Sequence, residues 1–402
     1  MRRLLLCCCF ISLYTGHAQS TDTLKVVSYN LLNFPSTSPL RIDTLQVIVQ
    51  YLKPDILMVC ELTSSAGAAD ILANALNTGG ITSYAMAAFV DGPNTDNELF
   101  YNSDKLELLE QNEIATVLRD INEYVLFYKA PDIATTGDTV FFYIYVCHLK
   151  AGTGFESQRD DEANTLKDYI AARPNAENIL IGGDFNFYGS DTEPAWNTIL
   201  SGAGITIKDP IVSPGHWNSN SSFAPIHTQS TRTGSFDGGA TGGMDDRFDI
   251  IFVGADVMDY SNDARYLIGT YRAVGQDALH YNDALIDPPT NTSEPWNVIT
   301  ALYNMSDHLP VYMEIEVISE FAGIEKTGAK DYFYFYYDAL NKRMINNSEG
   351  VIFNIQILDM NGRLIRKLDS KDKSTDLSDL EKGIYILQAT PNVMIQMKFV
   401  VE

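Results

Sequence analysis

The segment that is most informative about the fold reads Met305-Ser306-Asp307-His308-Leu309-Pro310-Val311. It places an Asp–His pair at the mouth of a strand, because the alternating run 311–317 follows directly. Other polar side chains stand in the same way at the ends of strongly apolar runs: Asn30, Glu61, His148, Asp184 and Asn186. An α/β sandwich gathers an active site from distant parts of a chain through polar residues at its strand ends.

Strand-like runs alternate with helix-like runs from Leu24 to about Ile318. We predict strands near 24–31, 55–60, 140–148, 178–182 and 248–253, and helices near 40–52, 67–76 and 159–172. This order predicts an α/β domain at residues 22–318, with a core large enough to fold alone. The segment 209–246 is rich in Ser, Gly, Thr, Asn and Pro, and we interpret it as a surface insertion beside the site.

The N-terminal residues 1–18 have the pattern of a secretory signal peptide. A basic start is followed by the apolar run 4–11 and by an exit with the small residues Gly16 and Ala18. The run is too short to cross a bilayer, and a buried first strand is the alternative. Cys7 to Cys9 lie inside the apolar run rather than after it, which argues against a lipoprotein anchor.

The composition changes after Ser319, and this change indicates a linker at 319–330 and a second domain at 331–402. Strand-like runs occur at 331–337, 351–360, 383–389 and 393–401, and the turn signal Asn361-Gly362 follows the second of them. Several short strands without a helix predict a small all-β sandwich.

Charge and cysteine content bound the function. The chain has 402 residues and a formal net charge of -24, which opposes non-specific attraction to polyanions. A nucleic-acid substrate is still allowed, because a bound divalent cation reverses the local sign. Cys60 and Cys147 remain after the signal peptide, and either a disulfide or two buried thiols would fit.

Four of the strand-end residues suit phosphoester chemistry. Glu61 ends an apolar run, and a carboxylate held there suits a hard, oxygen-ligated cation such as Mg²⁺. Asp184 and Asn186 share one face of an extended segment, so they could orient a water and a phosphate oxygen together. His148 could hold a phosphoryl oxygen. Each also has an ordinary structural interpretation: a solvated carboxylate, an Asx turn or a hydrogen-bonded core histidine.

Asp249 stands at the start of an apolar strand, where a carboxylate is costly unless it is paired. His308 is the economical partner, because an Asp on one imidazole nitrogen fixes the tautomer and raises the basicity of the other nitrogen. Asp307 then remains free to face a metal.

Together these residues resemble the endonuclease/exonuclease/phosphatase superfamily, which includes pancreatic-type deoxyribonuclease, abasic-site endonucleases, inositol-polyphosphate 5-phosphatases and bacterial sphingomyelinases. The matching strings occur in the family's order, at 28–30, 54–61, 148–150, 183–186, 247–251 and 306–310. The resemblance covers roughly 24–317 and implies a four-layer α/β sandwich, in which helices flank two packed mixed sheets. Cys60 departs from the family, which usually has Gln there, and the 209–246 insertion is unusually long.

The resemblance also implies a role for each residue. Glu61 would bind Mg²⁺ with help from Asn30 and Asp307. His308, oriented by Asp249, would activate water or bind phosphate. The remaining three act on the substrate: Asp184 and Asn186 would position the nucleophile or protonate the leaving group, and His148 would bind the scissile phosphate.

The C-terminal segment is similar to the type IX secretion sorting domain of Bacteroidota. The similarity rests on residues 357–365, 380–387 and 398–402. It implies a β-sandwich that the secretion machinery reads. A carbohydrate-binding or adhesive β-module is the competing interpretation.

We therefore expect a secreted, Mg²⁺-dependent phosphodiester hydrolase, an endonuclease acting on nucleic acid, released or held at the outer-membrane surface. Mn²⁺ or Ca²⁺ would also suit the site. One alternative is a phosphomonoesterase or sphingomyelinase on the same fold, since a fold does not determine a substrate. The other is a catalytically inactive surface binding protein.

Overall fold

The computed structural model describes residues 20–36, 41–131, 133, 139–173, 175–259, 262–319, 335–338, 342–346, 354–359, 363–369, 371–390 and 395–401. The predicted signal peptide, the linker after Ser319 and the Asn361-Gly362 turn lie outside these residues. None of the described helices is long and apolar enough to cross a membrane.

Two large sheets form the core of the predicted α/β domain. The strands of the first are β1 (Ser20–Phe34), β2 (Ile56–Leu62), β3 (Tyr84–Met86), β4 (Asp96–Asn102), β11 (Ala264–Tyr266), β12 (Arg272–Ala273) and β13 (Val311–Ser319). They form a 7-stranded sheet in the order β11-β13-β1-β2-β4-β3, with β12 beside β13. The strands of the second are β5 (Leu106–Ile114), β6 (Ile121–Tyr128), β7 (Phe141–His148), β8 (Leu180–Asp184), β9 (Ile207–Lys208) and β10 (Asp249–Gly254). Their order is β5-β6-β7-β8-β10-β9.

The helices among the described residues are α1 (Arg41–Leu52), α2 (Ser65–Asp70), α3 (Glu156–Ala171), α4 (Pro194–Ser201), α5 (Ala255–Met258) and α6 (Trp296–Met305). A π-helical segment, Ile71–Leu76, continues α2. Ser64 caps α2, since its hydroxyl accepts a hydrogen bond from the Gly67 backbone amide at 3.2 Å.

Three apolar cores separate four layers. Inward side chains of both sheets, such as Met58 and Ile144, form the central core. The outer face of the first sheet packs on α1 and α6 through residues such as Ile48 and Leu302. The outer face of the second sheet packs on α3 and α4. This arrangement confirms the predicted sandwich, and the period-two alternation of the strands explains it, because successive side chains enter different cores.

The predicted strands and helices correspond to observed ones, with shifts of a few residues at their ends. The largest difference concerns the 209–246 segment, which is packed more deeply than its polar composition indicates. It contains a 3-10 helix, Ser221–Ile226. Trp217 and His227 are fully buried, and Arg247, directly after the segment, forms a buried ion pair with Asp209 at 2.8 Å. Buried residues therefore anchor the segment, and its interpretation as a surface insertion beside the site remains a prediction.

Cys60 and Cys147 are buried free thiols. Cys60 packs between the two sheets, whereas Cys147 packs on the helical side of the second sheet. Burial raises the pKa of both thiols well above the ordinary value. They are therefore core residues, and the disulfide alternative is excluded.

The C-terminal region is all-β in its described part, as predicted. One small sheet has the order β14-β15-β18, and the other has the order β17-β16-β19-β20. Their bounds are β14 (Phe335–Asp338), β15 (Arg343–Asn346), β16 (Asn354–Asp359), β17 (Leu364–Leu368), β18 (Ser374–Asp376), β19 (Gly383–Thr390) and β20 (Ile395–Val401). Met344 of one sheet and Leu387 of the other share an apolar cluster.

Candidate active site

Strand direction brings the polar strand ends to one edge of the sandwich. In the first sheet β1 and β2 are parallel, with Asn30 opposite Cys60, so Asn30 and Glu61 lie at the same end. The antiparallel strand β13 begins there too, with Val311 opposite Ser28. In the second sheet Asp184 pairs with His148 on one side and with Asp249 on the other. The two edges face each other and gather all the predicted residues.

Asp249 and His308 form a buried pair. Asp249 Oδ2 lies 2.7 Å from His308 Nδ1, and both side chains are at most 3% exposed. Burial by itself lowers the pKa of His308, but the carboxylates of Asp249, Asp307 and Asp184 raise it well above its ordinary value. The contact that the sequence analysis expected is present. The catalytic role of the pair remains a prediction.

Asp184 ends the strand β8 directly after Gly182 and Gly183, and Asn186 lies two residues further along. Gly183 has φ +145°, and a Cβ there would collide with the Cys147 carbonyl, so only glycine fits beside β7. Asp184 Oδ1 accepts the Asn186 backbone amide at 3.0 Å. Burial raises the pKa of Asp184 to about 7, and the nearby carboxylates add to the effect. A carboxyl group that titrates near neutrality is suited to proton transfer.

Glu61, Asp184 and His148 form the one carboxylate–histidine cluster with metal-ligand spacing that the described residues contain. Their donor atoms lie within 4.8 Å of one another. His148 Nε2 is 3.5 Å from Asp184 Oδ2 and 3.8 Å from Glu61 Oε1. Burial, followed by Arg119 and His308, lowers the pKa of His148 well below its ordinary value, so the imidazole is neutral. A neutral imidazole between two carboxylates is a donor set that fits a divalent cation.

Asn30 connects this cluster. Its side-chain Nδ2 donates to Glu61 Oε1 and to Asp184 Oδ2, both at 3.0 Å. Its Oδ1 accepts the backbone amide of Leu32 at 2.9 Å. In this orientation Asn30 holds the two carboxylates together as a donor, and it would have to turn its amide to bind a metal through oxygen.

Asp307 is held by the 209–246 insertion rather than by the Glu61 cluster. Its Oδ2 accepts the Ala240 backbone amide at 2.6 Å and the Gln229 side-chain amide at 3.3 Å. Its Oδ1 lies 3.9 Å from His308 Nε2. Ser306 Oγ donates to the Asn30 carbonyl at 2.7 Å and thereby joins the Asp307 loop to β1.

Sequence reasoning missed Gln229 and two buried arginines. Gln229 lies in a polar segment without periodicity, which carried no signal for it. Arg41 donates to the Leu32 and Met305 carbonyls at 2.8 and 3.0 Å, and it thereby joins the end of β1, which carries Asn30, to the segment that leads to Asp307. Arg232 donates to the Ser306 carbonyl at 3.1 Å. An arginine inside the apolar pattern of α1 was the one available signal for Arg41.

Comparison with known proteins agrees with the observed fold. Residues 27–308 match the family model of the endonuclease/exonuclease/phosphatase family, and residues 330–402 match the model of the secretion system C-terminal sorting domain. No curated protein matches the chain.

Solved structures are similar at low identity. D. rerio TDP2, complexed with a single-strand DNA product, is 15% identical with a TM-score of 0.48, over 73% of this chain and 98% of that one. The human nocturnin catalytic domain is 14% identical with a TM-score of 0.43, over 75% and 98%. A Bacteroides thetaiotaomicron mannosyl-6-phosphatase is 18% identical with a TM-score of 0.43, over 73% and 99%.

Proposed function

Because the chain belongs to the endonuclease/exonuclease/phosphatase family, whose members hydrolyse phosphoester bonds, we propose that it is an exported, Mg²⁺-dependent phosphodiester hydrolase that cleaves nucleic acid. One observation carries this proposal. His308, paired with Asp249 at 2.7 Å, lies beside a cluster of two carboxylates and a neutral imidazole. A base next to a cation site is the arrangement that metal-assisted hydrolysis needs.

Glu61 would hold the metal at this cluster, beside Asp184 and His148, whose donor atoms lie within 4.8 Å; Asp307 lies next to His308, with Oδ1 3.9 Å from Nε2. When bound, the cation would offset charge on the phosphoryl oxygens. His308 would accept the proton of the attacking water at Nε2, since Asp249 occupies Nδ1.

The acid step falls to Asp184. Its pKa of about 7 allows it to hold a proton for the leaving oxygen at neutral pH. Asn186, fixed by its backbone hydrogen bond to Asp184 and by its side-chain donation to the Leu149 carbonyl at 3.2 Å, would orient the substrate. His148 would contact the scissile phosphate.

The sorting domain implies export to the cell surface or outside the cell. We propose that the type IX machinery reads residues 331–402, that 319–330 is a linker, and that 1–18 is the signal that starts export. The catalytic domain, 22–318, contains every candidate site residue.

A small phosphomonoester is the second candidate substrate, and charge favours it. The chain carries a formal net charge of -24. Two further carboxylates lie near the site, because Asp245 and Asp246 form backbone hydrogen bonds with Gln229. These charges oppose the approach of a polyanion more than that of a small phosphate. A sphingomyelinase is less well supported, because Trp217, the one tryptophan of the insertion, is fully buried.

A substrate panel tests the proposal. DNA, RNA, small phosphomonoesters and sphingomyelin would each be assayed in Mg²⁺, Mn²⁺, Ca²⁺ and EDTA, with His308→Ala as the inactive variant. His216→Ala is a matched control, because His216 is half-exposed and lies outside the site. We expect EDTA-sensitive cleavage of nucleic acid. Turnover confined to phosphomonoesters would favour the second candidate, and the absence of turnover on the whole panel would favour the inactive binding protein.

A further inference from the structure

Gln229 lies against both members of the Asp307–His308 pair. Its Nε2 is 2.6 Å from His308 Nε2 and 3.3 Å from Asp307 Oδ2. The residue comes from the 209–246 insertion and has no part in the chemistry proposed above. One side-chain amide therefore contacts the proposed base and the neighbouring carboxylate of Asp307 at once.

The backbone holds Gln229 rigidly in this place. Its N–H donates to the Asp246 carbonyl at 3.1 Å, and its carbonyl accepts the amides of Asp245 and Asp246 at 2.8 and 2.9 Å. Isolated bridges join it to Asp246 on one side and to His308 on the other. These bonds do not involve the side chain, so a substitution at 229 can remove the amide and leave the backbone pairing in place.

Asp307 determines which end of the amide faces the histidine. If the amide were turned, its carbonyl oxygen would face Asp307 Oδ2 across 3.3 Å, and two acceptors would repel each other. The NH₂ end is therefore the one at Asp307 and at His308. The NH₂ group donates one hydrogen bond to each of them, so His308 Nε2 acts as an acceptor. His308 Nδ1 then carries the ring proton and donates a hydrogen bond to Asp249.

The carboxylates around His308 favour a protonated ring, whereas a donor at 2.6 Å from Nε2 suits only a neutral one. A cation among Glu61 and Asp184 would offset the negative charge that favours protonation, and the neutral ring would then accept the hydrogen bond from Gln229.

We propose that Gln229 is a positioning residue, whose side-chain amide keeps His308 in the tautomer with an unprotonated Nε2 and holds Asp307 beside it. This inference rests on the proposed function and assigns a purpose to the insertion. In the resting enzyme the Gln229 N–H donates to His308 Nε2. The attacking water must donate its O–H to the same nitrogen. The water takes its place there, while the second N–H keeps Asp307 oriented.

Three variants of the full chain separate this role from a structural one. Gln229→Met keeps the length of the side chain and removes both N–H donors. Gln229→Glu keeps the length as well, and places a carboxylate against Asp307. Gln276→Met is the matched control, because Gln276 is also partly buried and donates to a backbone carbonyl, that of His227, at 2.9 Å.

We expect Gln229→Met to lower kcat by ~10–100-fold, the usual scale for losing a residue that orients a ligand or base. KM should stay within about threefold, because the contact is not with substrate. Gln229→Glu should lose more activity than Gln229→Met, and Gln276→Met should keep the kcat of the unaltered enzyme. Equal kcat for Gln229→Met and the unaltered enzyme, or equal losses for the Met and Glu variants, would overturn the proposal.

A spectroscopic measurement is independent of turnover. In the Mg²⁺-loaded protein the ¹⁵N resonance of His308 Nε2 should shift in Gln229→Met and stay in place in Gln276→Met. An unchanged resonance in Gln229→Met refutes the contact. If the unaltered protein cleaves nothing on the substrate panel, the proposed function fails, and the resonance still decides whether Gln229 holds His308.

Discussion

Replacing Asp249 with Asn tests the centre of the proposed mechanism. The substitution keeps the shape of the side chain and removes its charge from a contact of 2.7 Å with His308 Nδ1. Asp249 is about as buried as a side chain can be, at 1% exposure, so solvent cannot replace the lost charge. A hydrogen bond to a charged group contributes roughly 1.5–3 kcal/mol. At about 1.4 kcal/mol per factor of ten, kcat should fall by roughly 10–150-fold.

The assay is steady-state hydrolysis of the best substrate at saturating Mg²⁺, with unfolding in urea measured alongside. KM should change little, because Asp249 does not reach the substrate. Asp55→Asn is the matched control, since Asp55 is a buried carboxylate at the other end of β2, bonded to the Lys25 amide at 3.0 Å. It should leave kcat unchanged.

The double variant decides whether Asp249 works through His308. His308→Ala alone should lower kcat by ~10²-fold or more, the scale for losing a general base. Adding Asp249→Asn should then cost almost nothing further, because residues that act as one unit are not additive. If the two losses multiply, Asp249 has a separate function and the reasoning about the pair is refuted.

Three further predictions follow from the same structure. Glu61→Gln, like EDTA, should abolish hydrolysis and leave the fold intact; full activity in either case would exclude the metal site. Burial raises the pKa of Glu98 to about 8, so the folded state retains a proton that the unfolded state loses above its ordinary value of 4.5. The free energy of unfolding should therefore fall, as pH rises between those two values, by up to about 1.4 kcal/mol per pH unit. Glu98→Gln should flatten that slope in urea titrations from pH 5 to pH 9. Removing the chain after Ser319 should leave a folded, active enzyme that stays in the periplasm; loss of folding would make the last domain structural, and arrival at the surface would refute the sorting role.

The apolar strands were predictable because their side chains enter packed cores. In β7 and β10 nearly every residue is buried, so the pattern is strong. The Asp249–His308 contact was predictable for a related reason, since a buried carboxylate requires a partner. The polar edge of the two sheets followed from strand direction alone.

The contacts of the insertion were not predictable. Backbone hydrogen bonds with Asp246 place Gln229 next to His308. A Ser- and Gly-rich segment has no periodicity that would predict such a contact. The buried Arg41 was equally hidden, because its partners are backbone carbonyls, which every residue has. The orientation of the Asn30 amide was not predictable either, because it is determined by the positions of two carboxylates in the folded site.

The charges of the site favour the cation proposed for it. Within the described part of the chain, none of the four carboxylates of the site forms an ion pair with Lys or Arg; their ionisable partners are His148, which is neutral, and His308. The set is Glu61, Asp184, Asp249 and Asp307. Neutral donors such as Asn30 and Gln229 form hydrogen bonds with the carboxylate oxygens but do not neutralise the negative charge of the carboxylates. One response is visible in the pKa of Asp184, which burial raises to about 7. The other would be a divalent cation, which would offset two of the negative charges at once. The case for metal dependence therefore rests on an electrostatic need of the chain's own residues as well as on its family.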